Sequence, residues 1–159
     1  MPERIVSIKD PIIRKIEDFE PFLHLMLLAD LSETLVRNYV AAGDVVGATI
    51  AGKPVGVYVL TDNGDGVMEL KNIAIAIQLQ GQGLGKILIR HALAHAEGLG
   101  ASRVEVGTGN SSLEQLRFYQ SVGFERLRVD KGFFLRNYAD PIYENGMQCM
   151  DMIILSKGI

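Results

Sequence analysis

The stretch Ile77–Leu88, IQLQGQGLGKIL, constrains the fold more than any other part of the chain. Gly81, Gly83 and Gly85 occupy alternate positions at the mouth of an apolar helical run. Each glycine weakens a helix by about 1 kcal/mol relative to alanine, so three together need a reason. Upstream, VMELKNIAIAI (67–77) reads as a strand whose second half is apolar on both faces, which places it centrally in a sheet. Downstream, Leu84, Ile87, Leu88, Ala92, His95 and Leu99 lie on one side of a helix over 84–99. A strand, a glycine loop and a helix in this order expose backbone N–H groups at the positive helix end and make a general anion-binding device.

Two common versions of that device fail. A P-loop needs a glycine five positions before Gly85, and Gln80 stands there; Ile87 replaces the required hydroxyl residue. A dinucleotide fingerprint counted from Gly81 meets Lys86 at its third glycine, and counted from Gly83 it meets Leu88.

The rest of the chain supplies a mixed architecture. A short β-branched strand is expected over 11–16. A helix follows over 19–29, then a second one capped by Asp30 or Ser32 and ended by Ala-Ala-Gly at 41–43. Runs 45–50 and 55–60 around Ala51-Gly-Lys-Pro54 read as a hairpin, and TDNGDG (61–66) as a further turn. A strand over 103–106, a helix over 112–122 with Gly123 at its end, and strands from Phe124 onward and over 148–155 complete the order. This pattern is α/β (α+β) rather than a regular doubly wound repeat, in one domain covering residues 1–159.

What survives of the glycine pattern is Gln80-x-x-Gly83-x-Gly85. With the later segment VEVGTGNSSLEQLRFYQSVGF (104–124), it resembles the GNAT family of N-acetyltransferases, and the pairing of EVGTGNSS with ENGMQCMDM is similar to a small bacterial subgroup. The resemblance implies a mostly antiparallel sheet of about six to seven strands flanked by about four helices. It implies acetyl-CoA as cosubstrate and an amine acceptor, and it leaves room for a homodimer. Gln80, Gly81, Gln82, Gly83, Leu84, Gly85 and Lys86 match the pyrophosphate loop. Lys86 either adds a charge-assisted contact or is a solvated first-turn lysine. Ile73, Ala74 and Ile75 match the strand edge that bonds the pantetheine arm.

Tyr119 matches the general acid that protonates the departing thiolate, although its spacing from Leu113 and Leu116 equally suits a core tyrosine. The family asparagine lies seven residues before that tyrosine; here Ser112 holds the position and Asn110 lies nine before. Either residue takes the cofactor contact. Glu69, eleven residues before Gln80, matches the base of one branch, and Glu105 matches that of the ribosomal-protein branch; Glu69 ranks first. The acceptor pocket is expected from the first two helices and the segment 130–145, with Phe133, Phe134, Tyr138 and Tyr143 among Asp130, Asp140 and Glu144. An aromatic wall with carboxylates suits a small amphipathic amine. A protein or peptide acceptor, and a non-catalytic acyl-CoA-binding domain, are the alternatives.

Composition narrows the field. A formal charge of −3 argues against a nucleic-acid binder and accommodates a cationic substrate. The first twenty residues lack a secretory apolar region and no run suits a membrane, so a cytoplasmic setting is expected. Cys149 is the only cysteine, which excludes an intrachain disulfide. His91 and His95 stand at metal-ligand spacing in HALAH but lack the HExxH glutamate, and with His24 form no ligand set. No metal is expected.

Overall fold

A computed structural model describes residues 10–159. The first nine residues of the segment read as lacking a secretory signal lie outside the described residues. Strand β1 (Ile12–Lys15) leads through a short 3-10 turn to helices α1 (Leu23–Ala29) and α2 (Glu33–Ala42). Strands β2 (Asp44–Ile50), β3 (Lys53–Asp62) and β4 (Val67–Ile75) follow as a meander. Then come α3 (Leu84–Gly98), β5 (Arg103–Gly109), α4 (Leu113–Ser121) and β6 (Glu125–Asp130). A short helix α5 (Phe133–Asn137), the hairpin β7 (Ile142–Glu144) and β8 (Met147–Cys149), and β9 (Met152–Gly158) finish the chain.

Among the described residues, the main sheet has seven strands in the order β1-β2-β3-β4-β5-β9-β6, and β7-β8 stand apart. Among these strands only β4 and β5 pair in parallel, as the α3 crossover between them requires. One face carries α3 and α4. Leu84, Leu88, Ile89, Ala92 and Ala96 of α3 pack there with Leu116 and Tyr119 of α4 on Leu60, Leu70, Val104 and Leu155. The other face carries α1 and α2, where Leu25, Met26 and Val36 meet Val57, Val59 and Ala74.

Several local expectations shift. Ser32 is the cap of α2: its hydroxyl accepts the Leu35 N–H at 3.2 Å. Asp30 turns its carboxylate elsewhere, accepting the Ser32 N–H at 3.0 Å. The buried stripe of α3 is rotated toward Ile89 and Ala96, and Leu99 is left exposed. His91 and His95 tie α3 to the sheet, the first at 2.7 Å from the Tyr58 hydroxyl and the second at 3.0 Å from Asp44. Segment 130–145 is less of a loop than expected, because α5 and β7 lie within it.

The central strand ends at Ile75 rather than Ile77, and the reason lies in its pairing. β4 and β5 are in register only from Val67↔Arg103 to Leu70↔Val106. Beyond Leu70, β4 continues on β3 alone as far as Gly56↔Ile75, while β5 continues on β9 as far as Gly109↔Met152. The β3–β4 register slips where the strands part: Val59 faces Asn72 and Leu60 faces Leu70, leaving Lys71 as the extra residue of a bulge. A bulge bends its strand and sharpens its twist. Met68 and Leu70 face α3 before it; Ala74 faces α1 and α2 after it.

Candidate active site

The glycine loop forms the mouth of α3. Gly81 has φ +76° and Gly83, the residue capping α3, has φ +93°. Both lie in the left-handed region that side-chain-bearing residues avoid. Gly85 is helical, and a Cβ there would rest 3.4 Å from the Phe118 ring. A Cβ on Gly81 or Gly83 would meet no atom within 4 Å, so a side chain there would project into open space at the helix mouth. Among the described residues, no side chain caps α3. The first-turn amides of this 15-residue helix therefore face that space with the positive end of the helix dipole behind them. Gln80 folds back to donate to the Ile75 carbonyl at 3.1 Å, and Gln82 donates to the Gln78 carbonyl at 3.2 Å. These two bonds hold the turn between strand and loop.

A cavity of about 570 Å³ opens beside the loop and runs along β4 beyond the end of its pairing with β5. Its wall includes Gln80, Gly81, Gly83, Gly85 and Lys86 of the loop, Ile73, Ala74 and Ile75 of β4, and Phe118 and Tyr119 of α4. Leu28 and Ala29 of α1 line it from the opposite side of the sheet. Among the described residues, the β4 edge beyond Leu70 has no strand partner on its β5 side, and apart from the Ile75 carbonyl that Gln80 reaches it faces the cavity, the kind of edge an extended amide-bearing chain can join.

Tyr119 is buried and flanked edge-on by Phe118 and Phe124, with ring centroids 5.4 and 5.8 Å away. Burial alone pushes its phenol above the ordinary value of 10. The hydroxyl therefore keeps its proton at neutral pH and has one to give.

The remaining candidates lie away from the cavity wall. Glu69 and Glu105 are direct register partners at the closed end of the β4–β5 pair. Glu69 accepts from Asn63 and meets Lys71, both at 3.0 Å. Glu105 is buried and meets Arg128 at 2.8 Å and Arg103 at 3.6 Å. The Asn110 amide is taken up by the chain between β8 and β9: it accepts from the N–H groups of Met150 (2.8 Å) and Asp151 (3.0 Å) and donates to the Gln148 carbonyl (3.2 Å). Ser112 begins α4, and its hydroxyl donates to Glu144 at 2.8 Å. Cys149 is buried against Gly109, and burial pushes its thiol up, away from the thiolate. Among the described residues, no group of three or more His, Cys, Asp or Glu side chains is arranged to hold a metal ion.

Sequence reasoning missed Leu28, Ala29, Glu114, Gln115 and Phe118 as cavity residues. Gln115 could have been found, since it precedes Tyr119 by four residues and shares its helical face. Leu28 and Ala29 carry no such signal, because their position depends on how α1 crosses the sheet.

Comparison with known proteins agrees with this arrangement. The family model described as "Acetyltransferase (GNAT) family" matches residues 12–124. A Bacillus subtilis (strain 168) protein named uncharacterized N-acetyltransferase YvbK is 44% identical over 131 residues, covering 82% of this chain and 84% of its own. A structure described as an IAA acetyltransferase from Bacillus cereus is 43% identical with a TM-score of 0.90, covering 94% of this chain and all of the other. A GNAT family acetyltransferase from Elizabethkingia anophelis, solved with acetyl-CoA bound, is 36% identical with a TM-score of 0.90 over 94% of this chain and 98% of its own.

Proposed function

The chain belongs to the GNAT acetyltransferase family, and from that premise we propose how its residues carry acetyl transfer from acetyl-CoA to an amine. Acetyl-CoA supplies an activated acetyl group on a thioester whose thiolate can leave. The observation that carries the reading is the conjunction of an uncapped α3 mouth, an unpaired β4 edge and a protonated buried tyrosine around one cavity.

Each part has a task. The first-turn amides from Leu84 to Lys86 hold the pyrophosphate, with Gly81 and Gly83 giving the backbone its left-handed turn and keeping Cβ atoms out of the ligand's space. Lys86 lines the same wall and adds a charge-assisted contact. Backbone groups of Ile73, Ala74 and Ile75 hold the pantetheine arm in the gap, and an N–H near Ile75 receives the developing oxyanion. Tyr119 protonates the thiolate as the C–S bond breaks. The amine attacks directly, with no enzyme nucleophile, in keeping with the neutral buried thiol of Cys149.

The attacking amine must first lose a proton, since a lysine-like amine has a pKa of about 10.4. Neither Glu69 nor Glu105 lines the cavity, so the proton reaches either carboxylate through water. Asn110 and Ser112 act one step back from the cosubstrate, holding the β8–β9 link and β7 against α4. The acceptor is a small amphipathic amine that enters from the α1–α2 face, where Leu28 and Ala29 line the gap. The test is coenzyme A release from acetyl-CoA across a panel of small amines and peptide N-termini. Turnover with small amines alone supports the reading. Binding of acetyl-CoA with no amine acetylated favours a pure acyl-CoA binder, and turnover confined to peptides favours a protein acceptor.

A further inference from the structure

Asp30 is a carboxylate beside the cavity that the catalytic scheme leaves unused, as it does Glu114 on the wall itself. It stands at the C-terminal end of α1, immediately after the cavity residue Ala29. Tyr138 donates to one of its oxygens at 2.7 Å, and Tyr39 to the other at 3.2 Å. With the Ser32 N–H, three neutral donors hold this half-buried carboxylate. Among the described residues, no lysine, arginine or histidine nitrogen comes within 4.0 Å of it. A charge drawn partly out of water with no counter-charge is costly unless one arrives.

The row continues inward. The Asn72 amide nitrogen donates to the Tyr39 hydroxyl at 2.9 Å and to the Met26 carbonyl at 3.0 Å. Asn72 is 4% exposed, and its Oδ1 has no partner among the described residues. It sits directly after the β4 bulge, two residues before Ala74 on the cavity wall. Asp30 is thereby held through Tyr39 to the strand that borders the gap; three of the four lone-pair positions of its carboxylate accept hydrogen bonds, and among the described residues none takes the fourth, on the oxygen that Tyr39 reaches.

We propose that Asp30 is the specificity-determining carboxylate of the acceptor site, selecting an aryl-alkyl ammonium over neutral or anionic acceptors of the same shape. The ammonium takes the open lone pair of Asp30 and lies against the Tyr39 and Tyr138 rings, a setting that suits an organic cation. Phe134, stacked on Tyr138 at 5.4 Å, extends the apolar wall for the aryl group. This inference rests on the acetyltransferase reading above and deepens it.

The test measures binding to the coenzyme A-loaded full-length protein by titration calorimetry. The probes are phenethylamine, 2-phenylethanol and phenylacetate, which share a ring and differ in charge. Coenzyme A affinity is measured first in each variant: its absence from the wild type overturns the parent reading, whereas its retention isolates the acceptor question. Wild type binds phenethylamine more tightly than either analogue. Asp30→Asn weakens phenethylamine by about 10- to 100-fold, the worth of a hydrogen bond to a charged group, and leaves 2-phenylethanol unchanged. Tyr138→Phe keeps the charge and the ring but removes one hydrogen bond to Asp30, and weakens phenethylamine clearly less than Asp30→Asn does. Equal phenethylamine affinity in wild type and Asp30→Asn overturns the assignment. So does a wild type that binds none of the probes or prefers phenylacetate, and so does a loss in Tyr138→Phe as large as in Asp30→Asn, which would assign the effect to packing.

Discussion

Strands β4 and β5 run side by side for four residues and then part, and the two halves of this pair are built differently. The closed half is a parallel ladder from Val67 to Leu70, with Glu69 and Glu105 as partners and a cation beside each. The open half has no ladder between the two strands; it has a cavity, a glycine loop and a neutral tyrosine. Charge is satisfied within the protein in the first half. In the second, backbone groups are left for a ligand to satisfy. Under the proposed function, one strand pair serves as scaffold at one end and as receptor at the other.

The largest expected effect lies in the open half. Gly83→Val puts a β-branched residue at φ +93° and a side chain into the helix mouth. The strain costs on the order of 1–2 kcal/mol, which leaves a folded protein, while acetyl-CoA binding by calorimetry should vanish. Normal binding by this variant would break the comparison outright. Tyr119→Phe should lower kcat by about 100- to 10,000-fold with acetyl-CoA affinity unchanged, the range for a lost general acid. An unchanged kcat would return Tyr119 to the core.

The closed half predicts a different kind of loss. Glu105→Gln breaks a buried charge's pairing with Arg128, whose own side chain is largely exposed. The expected cost is therefore about 1–2 kcal/mol in urea unfolding, below that of a fully buried pair. Glu69→Gln, half-exposed, should change stability by less than about 0.5 kcal/mol. A kcat loss at neutral pH in one of the two, larger than its stability effect explains, identifies the base and blurs the division between the halves.

A separate expectation concerns pH. Burial holds Tyr39, Tyr58, Tyr119 and Tyr138 above the ordinary value of 10, with Asp30 adding to the shift at Tyr39 and Tyr138. In the unfolded chain these phenols ionise from about pH 10. Their contribution is intact below that value and is lost as pH rises through the higher folded values. Urea midpoints should fall steadily above pH 10, and a flat profile to pH 11 would contradict this burial.

The legible parts of the molecule are those whose physics is local. The glycine loop could be read because left-handed backbone at a helix mouth restricts residue choice within a few positions. The constraint on Gly81 went unread, because the motif treats that position as variable while its φ of +76° does not. Tyr119 was readable from helical spacing and the family motif together. The parting of β4 and β5 was not, since the bulge that accompanies it falls at Lys71, a residue with no turn signature. Asn110 shows the same limit. Its amide is spent on Gln148, Met150 and Asp151, about forty residues away, and nothing near it in the chain announces that. Asp30 and Ser32 were equivalent caps on paper; the hydroxyl of Tyr138, 108 residues on, accompanies the different role of Asp30.

The bulge at Lys71 has a consequence for how the chain tolerates change. A strand alternates its side chains strictly, so its two faces behave as even and odd positions. The extra residue resets that parity midway along β4. Before it, even-numbered residues look toward α3; after it, odd-numbered ones do. A chain shortened by one residue at this point would keep every side chain it needs and present half of them to the wrong layer. Ile73 and Ile75 would exchange faces with Asn72 and Ala74, and the cavity wall would lose its lining without the loss of any residue that lines it.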